Sequence, residues 1–87
     1  MAEYTVKLTR KAQKQLDKLP DQIAFPILDD IEALADNPRP FGSKKLKGRN
    51  AYRIRHGNYR VIYDIFDSIL IIEVVAVGHR KNVYKKK

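Results

Sequence analysis

The residues best suited to chemistry in this chain are three arginines on the two strands of a predicted hairpin: Arg53, Arg55 and Arg60. Gly57-Asn58 separates two runs rich in β-branched and aromatic residues, which is typical of a two-residue hairpin loop. Such a loop places Arg55 opposite Arg60, and because side chains alternate between the faces of a strand, all three arginines share one face. Like charges directly opposite each other destabilise a sheet. The face is either a phosphate-binding site or a solvated surface whose arginine stems cover apolar neighbours, and the spacing alone leaves both open.

The opposite face of the same hairpin is predicted to face the core. It carries apolar and aromatic side chains: Tyr52, Ile54, Tyr59, Val61, Tyr63 and Ile65. A second turn is predicted at Asp67-Ser68, which would place Leu70 opposite Ile65 and Glu73 on the arginine side, across Ile62 from Arg53. The run 69–77 is almost continuously apolar, which predicts a central strand with a neighbour on each side.

The N-terminal half is predicted to cover that core face. Residues 3–8 alternate as a strand, expected at the edge beside the central one, and Thr9 is a suitable N-cap for the helix that follows. Pro20 ends this helix, and Pro26 either kinks the second helix or opens its main part. The predicted fold class is α+β in the order β-α-α-β-β-β. It comprises an N-terminal strand, an antiparallel helical hairpin and a three-strand antiparallel meander, with the helices packed on one face of a four-stranded sheet.

Size and charge narrow the class of partner. The chain has 87 residues, enough for one small domain, and a net charge of +8. Such a charge indicates a polyanionic partner: RNA, DNA, the ribosome, an acidic protein or a membrane surface. There is no cysteine, hence no disulfide framework and no cysteine-based metal site. The N-terminus shows no apolar stretch of signal-peptide type, and no segment approaches the ~20 apolar residues of a membrane span, so we expect a soluble cytoplasmic protein.

Two further basic segments flank the strands. The loop before the hairpin contains Lys44, Lys45, Lys47 and Arg49, and it is either a solvated loop or a continuation of the arginine surface. After Gly78 the chain continues with His79, Arg80, Lys81, Asn82, Val83 and Tyr84. The histidine is either a general acid or base or a structural residue at the strand end. The tyrosine either packs on the domain or stacks on a nucleobase, a contact worth ~1–3 kcal/mol.

Several catalytic motifs are absent from the sequence. There is no phosphate-cradling glycine-rich loop, no HExxH and no nucleophilic cysteine, and the acidic residues are too scattered to indicate two-metal nuclease chemistry. An enzyme that acts on nucleic acid without a metal is expected to act on RNA, whose 2′-hydroxyl can attack the adjacent phosphate. Arginines would then stabilise the charge that develops on the pentacoordinate phosphate.

The order of three segments, KKLKG, YRIRHGNYRVIYDI and VVAVGHRKNVY, resembles the RelE-type toxins of bacterial and archaeal toxin–antitoxin modules, within the broader RelE/ParE superfamily. The resemblance covers nearly the whole chain. It implies a single RelE-like toxin domain over residues 1–84 and a basic tail, expected to be disordered, over residues 85–87. It further implies a type II toxin that enters the ribosomal A site and cleaves messenger RNA, with a cognate antitoxin as partner and with no cofactor, no metal and no membrane.

The resemblance also implies which residues are catalytic. Arg53 and Arg55 match two lysines of the family pattern, and Arg60 matches the arginine of its central motif. Arg80 and Tyr84 match its C-terminal pair. The change from lysine to arginine matters, because arginine stays protonated in proteins. The two substituted positions therefore suit binding and charge stabilisation better than proton abstraction.

The proton-transfer groups remain open at this point. His79 is a possible general acid, and the base is Tyr84, His79, a ribosomal group or Glu73. The remaining basic residues are expected to bind RNA: Lys44, Lys45, Lys47, Arg49 and Lys81. Two other functions are compatible with the resemblance, a ParE-like inhibitor of DNA gyrase and a catalytically inactive antitoxin-binding module.

Overall fold

A computed structural model describes residues 3–47 and 50–79 of the protein. In chain order its elements are β1 (Thr5–Leu8), α1 (Arg10–Asp17), α2 (Asp21–Ala33), β2 (Lys44–Lys45), β3 (Ala51–His56), β4 (Tyr59–Phe66), a 3-10 turn (Asp67–Ile69) and β5 (Ile71–His79). The predicted tail over residues 85–87 lies outside the described residues. Within the described ranges, no helix is long and apolar enough to cross a membrane.

The strands form one five-stranded sheet in the order β1-β5-β4-β3-β2. β1 runs parallel to β5, and the other neighbouring pairs are antiparallel. The α+β class is confirmed, as is the prediction that the last strand has a neighbour on each side, with the N-terminal strand β1 at the edge beside it. The predicted count of four strands is wrong by one, because the loop before the hairpin adds β2. Two lysines carry no strand pattern, and they become a strand only by pairing with β3.

The predicted hairpin is confirmed residue by residue. Arg55 lies opposite Arg60, Ile54 opposite Val61, and the other pairs follow the same register. Gly57 has φ of 62°, in the left-handed region that a residue without Cβ adopts without steric cost. A glycine at the first loop position is therefore what allows the two-residue turn.

The register of the next strand differs from the prediction. A 3-10 turn and Leu70, at φ 54°, replace the two-residue turn, so Ile72 rather than Leu70 lies opposite Ile65. The shift is two residues, which preserves which face each side chain occupies. A bulge between Ile62 and Tyr63 then changes the register again toward the end of β5.

Both helices pack on one face of the sheet. The Thr9 hydroxyl accepts a hydrogen bond from the Ala12 amide at 3.1 Å, which confirms the predicted N-cap. α2 is one helix with Pro26 inside it, so the alternative in which Pro26 opens a separate helix is wrong. The core joins the helix stripes to the sheet through fully buried side chains: Ala12, Ile27, Ile31, Tyr63, Ile65, Ile72 and Val74.

Candidate nucleic-acid interface

The arginine face is the side of β3 and β4 that carries Arg53, Arg55 and Arg60, away from the helices. Arg55 and Arg60 are direct cross-strand partners, and Gly78 of β5 lies on the other side of Arg60. Directly opposed residues have Cα atoms only ~4.5–5.5 Å apart. The sheet therefore holds two permanent positive charges side by side. Gly78 is the third residue of this cross-strand row and adds no side chain to it.

The three arginines are not equally accessible. Arg55 is exposed and Arg60 is half-buried, whereas Arg53 is only 7% exposed and its row partner Ile62 only 6%. Arg53 and Arg60 both make interactions within the protein. Arg55 is thus the most accessible of the three cations, and Arg53 lies deepest.

The lysines of the preceding loop divide between the two faces. Lys44 pairs with Arg53 and Lys45 with Tyr52, and directly opposed residues share a face of the sheet. Lys44 therefore extends the arginine face, while Lys45 lies on the helix side. Both lysines and Lys47 are exposed.

Acidic residues border the arginine face. Glu73 lies opposite Asp64 and, on the other side, opposite Lys7 of β1. The expectation that Glu73 would sit across Ile62 from Arg53 is wrong, because the longer turn moves it one row toward the end of the sheet. Toward the β4–β5 turn, the basic residues of this face are therefore followed by the acidic pair Asp64 and Glu73.

The predicted C-terminal residues are only partly within the described chain. His79 lies opposite Tyr59, and their rings meet edge to face with centroids 5.6 Å apart. Tyr59 packs against the core, so His79 lies on the helix side of the sheet and not on the arginine face. The predicted residues Arg49, Arg80, Lys81 and Tyr84 lie outside the described residues.

A cleft opens beside the exposed arginine. It has a volume of about 340 Å³, and Arg55, Ile54, Asp30, Leu34 and Phe41 are among the residues that line it. The Phe41 side chain is fully exposed. This cleft lies along β3 beyond the end of β2, where the sheet has no further described strand.

A cluster centred on Arg39 was missed from the sequence. The guanidinium binds both carboxylate oxygens of Asp67, at 2.9 and 3.5 Å. Its Nε donates to the Tyr52 hydroxyl at 3.1 Å, and its carbon lies 5.1 Å from the centre of that ring. The Tyr4 hydroxyl completes the cluster by donating to Asp67 at 2.6 Å. We call these four residues the Arg39 clasp; no local pattern marks them, because they are far apart in the chain.

The charges of the clasp shift the pKa values of its members. The bond from Arg39, followed by that from Tyr4, lowers the pKa of Asp67 below its usual 3.8. The bond to Asp67 in turn raises the pKa of Tyr4 and that of Arg39. Nearby Tyr63 has its pKa raised to about 12, mainly by burial. With their pKa values shifted in these directions, Asp67 and Arg39 stay charged and Tyr4 and Tyr63 stay neutral at neutral pH.

Comparison with known proteins of similar sequence and fold defines the family. A sequence model described as the ParE toxin of the type II toxin–antitoxin system parDE matches residues 6–84. A RelE-like toxin protein from Escherichia coli is 37% identical over 81 residues, which cover 90% of this chain and 84% of that protein.

Two solved structures share the whole fold. One is the archaeal RelE–RelB complex from Pyrococcus horikoshii, with a TM-score of 0.81 and 31% identity over 94% of this chain and 99% of the other. The second is the toxin–antitoxin complex RelBE2 from Mycobacterium tuberculosis, with a TM-score of 0.81 and 29% identity over 94% and 97%. The chain therefore belongs to the RelE/ParE family of toxins of type II toxin–antitoxin systems. Within that family it is a RelE-type toxin, as its sequence predicted.

Proposed function

We propose that this toxin is an endoribonuclease that enters the ribosomal A site and cleaves messenger RNA without a metal ion, and so blocks translation in the cytoplasm. The observation that carries the proposal is the direct opposition of Arg55 and Arg60 on a face that Lys44 extends. Such a pair costs stability. A polyanion bound between the two guanidinium groups would offset that cost.

The proposed reaction is transfer of the phosphate to the neighbouring ribose oxygen. The 2′-oxygen of one nucleotide forms a bond to the adjacent phosphorus as its proton leaves to a base. The bond from phosphorus to the 5′-oxygen breaks, and that oxygen takes up a proton. Negative charge accumulates on the pentacoordinate phosphate between these events, and fixed guanidinium groups would stabilise it.

The residues are assigned to roles as follows. Arg60 and Arg80 would bind the scissile phosphate, and Arg55 would bind the flanking backbone. Arg53, which is only 7% exposed, would add positive charge beneath that backbone. Tyr84 would stack on or orient a base. Removing one such charge-stabilising donor costs an enzyme about 10²–10³ in rate.

His79 is a weaker general acid in this proposal than from the sequence alone, because its ring contacts Tyr59 on the helix side. The loop lysines and Arg49 and Lys81 would contact the backbone away from the reacting phosphate. The base is left to Tyr84 or to a ribosomal group.

An antitoxin is the expected protein partner. The related toxins of Pyrococcus horikoshii and Mycobacterium tuberculosis were crystallised in complexes with their antitoxins. A net charge of +8 favours a partner with an acidic segment, which would compete with RNA for the arginine face. We infer that a cognate antitoxin neutralises this toxin.

A ParE-like inhibitor of DNA gyrase is the second candidate, because the matching family model carries the ParE name. An inhibitor that acts by protein contact has no need of opposed arginines. Neutralising them would leave its toxicity unchanged. The arginine face therefore discriminates between the two candidates.

The test is to map messenger-RNA 5′ ends by primer extension in a cell-free translation reaction. Wild-type protein is expected to produce new ends inside translated codons, and the Arg60→Ala, Arg80→Ala double variant to lose them. Lys11→Ala, Lys14→Ala is the matched control, since it removes the same charge from the exposed side of α1 and should cleave like wild type.

Each of the other outcomes would support a different explanation of toxicity. Blocked translation without new ends would contradict catalysis and leave ribosome occupancy alone. Unaffected translation would redirect the search to gyrase, assayed by supercoiling of a relaxed plasmid. Equal loss in the double variant and in the lysine control would mean that net charge, not the arginine face, determines activity.

A further inference from the structure

The Arg39 clasp joins four segments that are distant in the chain. Arg39 belongs to the connection between α2 and β2, Tyr52 to β3, and Asp67 to the turn after β4. Tyr4 belongs to the segment that precedes β1. Its side chains lie on the helix side of the sheet, near one end. Nothing in the proposed cleavage reaction uses them.

The clasp fixes the start of the loop that carries the lysines. The Arg39 amide donates to the Asn37 side-chain oxygen at 3.2 Å. The Tyr63 hydroxyl donates to the Pro38 carbonyl at 2.7 Å. The loop is thus attached through its side chains and its backbone at residues 38 and 39, and four residues separate this attachment from the start of β2 at Lys44.

Tyr52 connects the clasp to the arginine face. Its hydroxyl and ring contact Arg39, and its partner on β2 is Lys45. The next pair along the same two strands is Arg53 with Lys44, whose side chains point to the other face. Displacing the clasp would therefore displace the backbone from which Lys44 extends toward the RNA.

Stability alone does not account for this cluster. The side chains of Arg39 and Asp67 are 42% and 53% exposed, and ion pairs with such exposure contribute little to folding. The cluster nevertheless orders side chains from four segments. Its geometry is specific, with both carboxylate oxygens bound and the guanidinium over a ring, which fits a role in positioning.

We propose that Arg39 and Asp67 are positioning residues that hold the β2 loop in register, so that Lys44 lies beside Arg53 to bind the RNA backbone. The inference rests on the proposed function, because it assumes that RNA is the ligand of this face. Asp67 itself follows the end of β4, seven residues after Arg60, which is about 23 Å at the rise of an extended strand. Its effect on RNA therefore passes through the loop.

The substitution Asp67→Asn distinguishes a positioning role from a purely electrostatic one, because the two roles predict opposite changes in the affinity for RNA. It makes the protein more positive, and a more positive protein binds a polyanion more tightly. Loss of the clasp predicts weaker binding instead. Asp36→Asn is the matched control, since it adds the same charge at an exposed position outside the clasp.

The measurement is fluorescence anisotropy of a labelled, uncleavable 2′-O-methyl RNA 12-mer with the full-length toxin, with circular dichroism as a check of folding. We expect Asp67→Asn and Arg39→Gln each to raise the Kd threefold to tenfold, and Asp36→Asn to leave it unchanged or lower it. Arg39→Lys keeps the charge but cannot bind both carboxylate oxygens, and it should also weaken binding. Combining Arg39→Gln with Asp67→Asn should add nothing to either single change.

In ribosome-dependent cleavage, the same variants should raise KM and leave kcat unchanged.

The inference is overturned if Asp67→Asn binds RNA as tightly as Asp36→Asn, or if Arg39→Lys binds like wild type. Should Asp67→Asn fail to fold, Tyr4→Phe decides, since it removes one hydrogen bond without changing charge and should weaken binding about twofold. A wild-type protein that binds the 12-mer but does not cleave on ribosomes would contradict the proposed function and not the clasp. Wild-type protein that does not bind the 12-mer would overturn the inference itself.

Discussion

The two faces of the β3–β4 hairpin come from the same residues of backbone and have opposite character. On the helix side, Val61, Tyr63 and Ile65 are at most 1% exposed. On the other side, alternate positions hold Arg55 and Arg60, with like charges directly opposed. One face is optimised for burial, and the second retains an arrangement that burial or stability would not favour. Under the proposed function, the energetic cost of opposing two arginines is the feature that distinguishes the arginine face from the face built for burial.

The contrast is not simply one of buried and exposed. Arg53 lies on the arginine face, and yet it is 7% exposed and interacts within the protein. A buried charge must be paired or hydrogen-bonded to be tolerated. Within one face, therefore, the cations divide into an internal arginine and the more accessible Arg55, and substitutions at the two positions test different properties.

The largest effect should come from the helix side. Ile65→Ala removes a fully buried side chain and should lower the free energy of unfolding by about 2–5 kcal/mol, through lost transfer energy and a residual cavity. Urea denaturation would measure the loss. At a temperature where the variant is folded, its kcat on ribosomes should equal that of wild type. A reduced kcat would contradict the view that the helix side contributes only stability and the arginine face contributes activity.

An intermediate effect is expected at Tyr63, with a pH dependence that identifies its cause. Tyr63→Phe removes the bond to the Pro38 carbonyl and should cost about 1 kcal/mol at pH 8. Burial raises the pKa of Tyr63 to about 12 from 10. Between those values the unfolded chain releases the proton before the folded protein does, so wild-type stability falls as pH rises.

Phenylalanine has no such proton, so the stability difference between the two proteins should shrink from pH 10 upward. Urea midpoints at pH 8 and 11.5 would measure it. The Phe variant serves as the control, because every other ionisable group is common to the two proteins. A stability difference between the two proteins that stays constant with pH would mean that burial does not raise the pKa of Tyr63.

The smallest effect on stability is expected on the arginine face, and with the opposite sign. Arg55→Thr removes one of two opposed charges and introduces a β-branched residue. It should therefore raise the free energy of unfolding by up to about 1 kcal/mol while it lowers ribosome-dependent cleavage. Lys11→Thr on the exposed side of α1 is the charge-matched control. A destabilised Arg55→Thr would show that the pair contributes to folding after all.

Much of this structure could be predicted from local patterns. The spacing of Gly57-Asn58 and strict alternation determined the hairpin register and assigned the arginines to one face. A hydroxyl at Thr9 predicted the first helix cap, and the order of segments predicted the family. Each of these conclusions depends on residues that are neighbours in sequence, or on a period that the backbone itself imposes.

Other features depend on contacts between distant parts of the chain. β2 exists only because β3 offers an edge, and the 3-10 turn at Asp67–Ile69 moved Glu73 by one row. His79 was assigned to a face by a bulge in its own strand, where Val75 has no partner in the β4–β5 register. The Arg39 clasp unites residues 28 and 63 positions apart, which no local spacing indicates.

The sequence by itself thus determined the α+β class, the hairpin and the grouping of the arginines. Only the tertiary structure decided how deeply each arginine is buried, which lysine joins the arginine face and which side chains meet in the Arg39 clasp. The physical reason is that alternation and turn geometry are set by covalent neighbours within a few residues. Burial, strand register across a bulge and side-chain clusters are instead set by the packing of the whole chain.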